Sequence, residues 1–97
     1  MTIVAGRRPA LLLPGAELID RGLADLVAGV ESVPAMLVAT GAPRLRQLGV
    51  EVPPGPDRPE HRLYALVVGD DPDGAHSRYN ALIRRLVSFE RALACAR

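Results

Sequence analysis

Hydrophobic residues recur at helical spacing along most of the chain. Between Ala16 and Val30 the apolar side chains fall on one face of a helix, and charged side chains fall on the other. The apolar positions are Ile19, Leu23, Leu26, Val27 and Val30. This pattern predicts a first helix over residues 16–30. Gly22 and Gly29 lie on one side of it, where a second element could approach closely.

A second helix is indicated after Ser32, which is a good N-cap residue. Its apolar positions, Val33, Leu37, Leu45 and Leu48, stay in helical phase. Pro43 interrupts this segment, because proline cannot donate a main-chain hydrogen bond. We therefore expect a helix that is broken or kinked near Pro43 and ends at Gly49.

Four prolines in residues 50–59 predict an extended loop. Asp57 and Glu60 resemble an acidic capping box, which places the start of the next helix here. Leu63, Leu66 and Val67 form the apolar stripe of that helix. Gly69 is expected to end it, and residues 70–74 are typical of a turn.

The segment 75–97 has the clearest amphipathic pattern in the chain. Its apolar stripe consists of Tyr79, Leu82, Ile83, Leu86, Leu93 and Ala94. A helix over the whole segment would be about 34 Å long. It would be longer than any other element, so we expect its end to pack against something besides its short neighbours.

These elements predict one all-α domain over residues 1–97, a small bundle of about four helices with a long C-terminal helix. Residues 1–8 are expected to be flexible. The alternative is a small three-layer α/β domain, in which the short apolar runs 11–13, 35–39 and 63–68 are buried parallel strands. The Ala, Leu and Met content of these runs, and the capping signals before them, favour helices.

Composition narrows the class of protein. Hydrophobic residues make up 48% of the chain and charged residues 24%, as in ordinary globular domains. No apolar run approaches the ~20 residues that span a bilayer, and the run 10–13 is too short for a signal peptide. Cys95 is the single cysteine, so an internal disulfide and paired-cysteine metal sites are excluded. We expect a cytoplasmic protein with no membrane contact.

Charge is unevenly distributed, although the net charge is only +1. Residues 14–31 hold four carboxylates and one arginine, whereas residues 74–97 hold five arginines and one carboxylate. We expect these two segments to attract each other within the fold. The arginines of the last segment could instead contact nucleic-acid phosphates. No row of aromatic residues for base stacking accompanies them, so nucleic acid is the less favoured partner.

Both histidines and both tyrosines occur in one repeated pattern, His-x-x-Tyr. His61 precedes Tyr64, and His76 precedes Tyr79. On a helix each histidine shares a face with its tyrosine, which could form a polar site with an acid–base group. In two antiparallel helices we expect His61 at one end of the pair and His76 at the other. A shared site would then require a dimer or the α/β topology.

The acidic segment that precedes His76 is a second candidate site. Asp70, Asp71 and Asp73, with His76, could bind a hard cation. The segment is too short for a calcium-binding EF-hand and lacks its final acidic residue. A turn whose aspartates cap the next helix is the preferred interpretation, so we predict no metal.

Glu90 is unusual because it projects into the apolar stripe of the last helix. We predict that Glu90, with Leu86, Phe89 and Leu93, forms a homodimer interface. There the carboxylate would pair with Arg97 or Arg21 of its own chain, or with an arginine of a partner chain. The alternative is that Glu90 is exposed to solvent where the long helix extends beyond the bundle.

No glycine-rich phosphate loop, nucleophile elbow or zinc-ligand spacing occurs in the sequence. We therefore expect no cofactor and no catalytic residues, and predict an interaction or regulatory module that self-associates or binds a protein partner. Two alternatives remain open. One is a nucleic-acid-associated protein that uses the C-terminal arginines. The other is a small α/β enzyme or ligand-binding domain with its site near Asp70 to His76.

Overall fold

The computed structural model of the protein describes residues 13–96. That range contains five helices and no strand, and 71% of it is helical. The helices are α1 Ala16–Val27, α2 Val33–Thr40, α3 Ala42–Gln47, α4 Pro59–Asp70 and α5 Ala75–Ala96. The predicted all-α bundle is confirmed. The α/β alternative is wrong, because the runs 35–39 and 63–68 lie within α2 and α4. The expectation for residues 1–8 lies outside the described range.

Helix α1 ends one turn earlier than predicted. Gly29 adopts a φ of 76°, a left-handed conformation that an α-helix cannot continue through. The Val30 amide instead donates to the carbonyl of Asp25 at 2.8 Å. Val27 and Val30 were expected on the buried stripe, yet they are 76% and 49% exposed. The buried part of α1 is centred on Ile19 and Leu23.

The predicted cap of α2 is confirmed, since the Ser32 hydroxyl accepts from the Ala35 amide at 3.1 Å. The helix that follows is the centre of the molecule and packs against α1, α4 and α5. Four consecutive side chains of α2 are fully buried: Ala35, Met36, Leu37 and Val38. A helix that is apolar on every face must be enclosed by other elements, and α2 is enclosed in this way.

Close approach at Gly22 is confirmed. A Cβ atom at this position would collide with the carbonyl oxygen of Pro34 and with the side chain of Val38. Glycine therefore lets α1 lie directly against α2. Gly29 has no such role, because its missing Cβ would meet nothing within 4 Å.

The predicted interruption near Pro43 is also confirmed. The chain leaves α2 at Gly41 and resumes as α3, with Pro43 in its first turn. Gly49 follows α3 with a φ of 93°, as expected of a glycine after a helix end.

The start of α4 differs from the predicted capping box. The N-cap is Arg58, with a φ of 53°, and no side chain caps the helix. Pro59 occupies the first turn and supplies a favourable φ there without needing a hydrogen-bond partner. Asp57 contributes its carbonyl oxygen instead, which accepts from Arg62 Nε at 2.9 Å. Gly69 does not end α4, which runs on to Asp70.

Two arginines hold the loop that precedes α4. Arg46 Nη2 donates to the carbonyl of Val52 at 2.9 Å, and the Val52 side chain is buried. Arg62 Nη1 lies 3.0 Å from the Glu31 carboxylate, which ties α4 to the connection between α1 and α2. The proline-rich segment is thus fixed to the body of the bundle at both of its ends.

The apolar stripe of α5 is buried inside the chain itself. Phe89 is fully buried, and Leu86 and Leu93 are 4% and 5% exposed. They belong to the same core cluster as Ile19 and Leu37. The prediction that these three α5 residues form a homodimer interface is therefore wrong, because the other helices already cover them. No helix in residues 13–96 has the length and apolar character needed to cross a membrane.

Candidate functional site

Helices α4 and α5 border an open groove of about 440 Å³ on the surface of the bundle. We call it the His–Tyr groove. Its six lining residues are Glu60, His61, Tyr64, His76, Tyr79 and Asn80. Both predicted His-x-x-Tyr pairs therefore line a single groove in one chain.

The two tyrosines form the middle of the groove. The ring centroids of Tyr64 and Tyr79 are 5.3 Å apart, and the rings are inclined at 74°, an edge-to-face arrangement. Residues 71–74 connect α4 and α5 through a tight turn, so the two helices run in opposite directions. Each histidine precedes its tyrosine by three residues, and consequently His61 and His76 lie on opposite sides of the tyrosine pair.

The expectation that a shared site requires a dimer or the α/β topology is wrong. Three residues of a helix rise by only about 4.5 Å, so each histidine stays near the tyrosine that follows it. The register of the α4–α5 pair places Tyr64 against Tyr79. Because the tyrosines meet, both histidines border the same groove.

Most polar side chains of the groove make no hydrogen bond to other residues of the range 13–96. Within residues 13–96 the only hydrogen bond made by a lining side chain joins Asn80 Nδ2 and His76 Nε2, which are 3.3 Å apart. If the amide nitrogen donates, Nε2 is the acceptor and the His76 proton resides on Nδ1. Tyr64 is 39% exposed, whereas Tyr79 is partly buried and packs against the core.

Sequence reasoning missed two lining residues, Glu60 and Asn80. Asn80 lies four residues after His76, the spacing at which two helical side chains meet. This spacing could have identified Asn80. Glu60 was assigned to helix capping only, and its place beside the tyrosines depends on how α4 packs on α5.

The aspartates near His76 form a turn outside this groove. Asp71 Oδ1 accepts from the Gly74 amide at 3.0 Å, just before α5 begins. This bond lies within the turn. Capping of α5 by these aspartates stays a prediction. In the part of the chain that the structure describes, no group of three or more His, Cys, Asp or Glu side chains is arranged to hold a metal ion. Asp73 is an exposed turn residue.

Glu90 lies at a different place from the one predicted. Its Oε2 atom is 3.1 Å from the position that a Cβ of Gly41 would occupy, at the junction of α2 and α3. Burial raises the pKa of the Glu90 carboxyl, and the positive charge of Arg44 opposes that rise. Of the predicted partners, Arg21 is exposed on α1 and forms no ion pair with Glu90, and the charge that acts on Glu90 is that of Arg44. Pairing with an arginine of a partner chain stays a prediction. Arg97 lies outside the described range.

The arginines of α5 are on its solvent side. The exposed ones in the described range are Arg78, Arg84, Arg85 and Arg91. Arg84 and Arg85 border a depression beside the start of α1, with Ser88 as a further polar residue and no aromatic ring. Cys95 is exposed near the end of the same helix.

Comparisons with protein families, with curated proteins and with solved structures give no match to this chain. The interpretation of the His–Tyr groove therefore depends on its own geometry and chemistry.

Proposed function

We propose that the chain is a protein-interaction module that receives a segment of a partner protein in the His–Tyr groove. One observation carries the proposal: the pairs His61–Tyr64 and His76–Tyr79 line a single open groove, with the exposed Tyr64 ring at its centre. Exposed tyrosine in a concave surface is characteristic of interfaces, because the ring offers apolar area and the hydroxyl offers a hydrogen bond.

Binding fits this groove better than catalysis does. The histidine bases of catalytic triads are usually oriented and polarised by a carboxylate. The hydrogen bond of His76 goes to the amide of Asn80, and the His61 side chain makes none within residues 13–96. The groove therefore presents donors, acceptors and aromatic area without an activated group.

Self-association through the α5 stripe is not part of this proposal, since Leu86, Phe89 and Leu93 are in the core. Within residues 13–96, the α4–α5 surface is where an exposed aromatic ring adjoins accessible polar groups. A partner segment could contact them without any rearrangement of the core.

Selection from a random peptide display library, with the purified chain as the target, tests the proposal. We expect selected peptides to bind with micromolar affinity and to lose at least about tenfold in affinity when Tyr64→Ser removes the central ring. Ser88→Ala is the matched control, because Ser88 lies on α5 outside the groove. It should leave the affinity unchanged.

The proposal fails if no selected peptide binds reversibly, or if peptides bind equally well to the parent and to Tyr64→Ser. Circular dichroism of each variant verifies that the helices are intact. Tyr64 is exposed, so its replacement should not unfold the bundle.

A further inference from the structure

We infer that the His–Tyr groove recognises an arginine side chain of the partner segment. This inference rests on the proposed function and specifies the chemical group that the groove accepts. The charge, the aromatic arrangement and the free acceptors of the lining residues each point to a planar cation.

The charge of the groove comes from one carboxylate. Among residues 13–96, Glu60 is the only acidic residue that lines the groove, and no arginine of that range lines it. Arg62, the nearest arginine along α4, is directed to Glu31 and to the Asp57 carbonyl. Within residues 13–96 the Glu60 carboxylate takes part in no ion pair or hydrogen bond, so it is available to a cation from another molecule.

The tyrosine pair offers an aromatic face beside that carboxylate. In the edge-to-face pair, the edge of one ring is directed at the face of the other, and Tyr64 is 39% exposed. A cation within about 6 Å of a ring centre is attracted by the negative face of the ring. The groove thus combines a carboxylate with an aromatic surface.

Arginine suits this combination better than lysine does. The guanidinium group is flat, weakly hydrated and able to stack on a ring while it donates to a carboxylate. An ammonium group is a strongly hydrated point charge, and desolvating it costs more. The five N–H donors of arginine also need acceptors. The Asn80 carbonyl, left free when its amide nitrogen faces His76, and the tyrosine hydroxyls are acceptors in the same groove.

The test is an NMR titration of the ¹⁵N-labelled chain with blocked peptides that have one central residue between alanines and glycines. That residue is arginine, lysine or citrulline, which has nearly the shape of arginine but no charge. We expect saturable shifts at Glu60, Tyr64 and Tyr79 with the arginine peptide. The citrulline peptide should bind about tenfold more weakly, and lysine should be intermediate.

Two variants assign the effect to the groove. Glu60→Gln should weaken the arginine peptide about fivefold and leave the citrulline peptide unchanged, because only the charged contact is lost. Glu51→Gln is the matched control, an exposed glutamate that does not line the groove, and it should change neither affinity. The spectrum of each variant reports whether the fold is retained.

Equal binding of arginine and citrulline at the groove overturns the inference and leaves the interaction proposal standing. Arginine-induced shifts confined to the turn at residues 70–73 also overturn it. If the groove resonances change on dilution without peptide, the occupant is a second copy of the chain, and the inference fails. Absence of groove binding by every selected peptide is a failure of the proposed function itself.

Discussion

At the scale of single residues, the two glycines within the helices of residues 13–96 have opposite roles. Gly22 faces α2 so closely that any side chain would collide with the Pro34 carbonyl. Gly69 lies in α4, and a Cβ atom at this position would meet nothing within 4 Å. The same residue type is thus required for packing at one position and only weakens the helix at the other.

Substituting alanine at these positions should shift stability in opposite directions. Gly22→Ala should lower the free energy of unfolding by about 1–3 kcal/mol, because the added methyl group forces α1 away from α2. Gly69→Ala should raise it by about 0.5–1 kcal/mol, because alanine loses less backbone freedom in a helix. Urea denaturation of both variants measures the difference. Equal effects would contradict the close contact at Gly22.

Glu90 gives a prediction about pH. Because burial raises its pKa, the folded state holds this proton more tightly than the unfolded chain does. Ionisation of Glu90 therefore reduces stability as the pH rises from the ordinary range of a glutamate through its raised pKa. Glu90→Gln removes this cost. We expect the variant to be at least as stable as the parent at pH 7.

The difference between Glu90→Gln and the parent should shrink when the pH falls below the ordinary glutamate range, where both states of the parent are protonated. Thermal denaturation of both proteins at several pH values isolates this residue, since the other carboxylates are common to both. A variant that is less stable than the parent at pH 7 by more than about 1 kcal/mol would indicate a strong pair with Arg44.

At the scale of elements, the start of α2 depends on one hydroxyl with two roles. Ser32 Oγ accepts from the Ala35 amide and donates to Asp25 Oδ2. The cap of α2 is thereby connected to the last turns of α1. The two helices that pack at Gly22 are also joined at this hydrogen bond.

Ser32→Ala should reduce the free energy of unfolding by about 1–2 kcal/mol, because the Ala35 amide loses its acceptor. Ser88→Ala, an exposed change within α5, is the control and should stay within about 0.5 kcal/mol of the parent. Chemical denaturation monitored by circular dichroism gives both values. Equal midpoints for the two variants would show that the cap contributes nothing.

At the scale of the whole molecule, the core has one aromatic side chain at its centre. Phe89 of α5 is fully buried and belongs to the cluster that includes residues of α1, α2 and α4. The long C-terminal helix is therefore an integral part of the bundle. Other helices of the same chain cover its apolar stripe. Substitutions in the stripe should therefore lower the stability of the single chain.

Phe89→Leu should destabilise the chain by about 1–1.5 kcal/mol, and Phe89→Ala by about 3–5 kcal/mol because it leaves a cavity. Neither loss should depend on protein concentration, since the contacts are within one chain. Thermal denaturation over about a hundredfold range of protein concentration tests whether the loss of stability depends on concentration. A midpoint that rises with concentration in the parent and not in Phe89→Leu would instead place this residue between subunits.

The sequence by itself determined the class of fold and most of the helices, because apolar spacing and local capping depend on neighbouring residues. Ser32, Gly41 and Pro43 act over three or four positions, and the helix boundaries near them follow from such local rules. The early end of α1 and the left-handed N-cap Arg58 of α4 were not predicted, because both depend on left-handed residues in the connecting loops.

Only the tertiary structure decided what covers each apolar face and which side chains meet. The other helices cover the stripe of α5 within the chain, so Leu86, Phe89 and Leu93 are core residues. The His–Tyr groove depends on the register between α4 and α5, which places Tyr64 against Tyr79. That register is set by the turn and by packing on α2, and these long-range contacts have no counterpart in the local periodicity of the sequence.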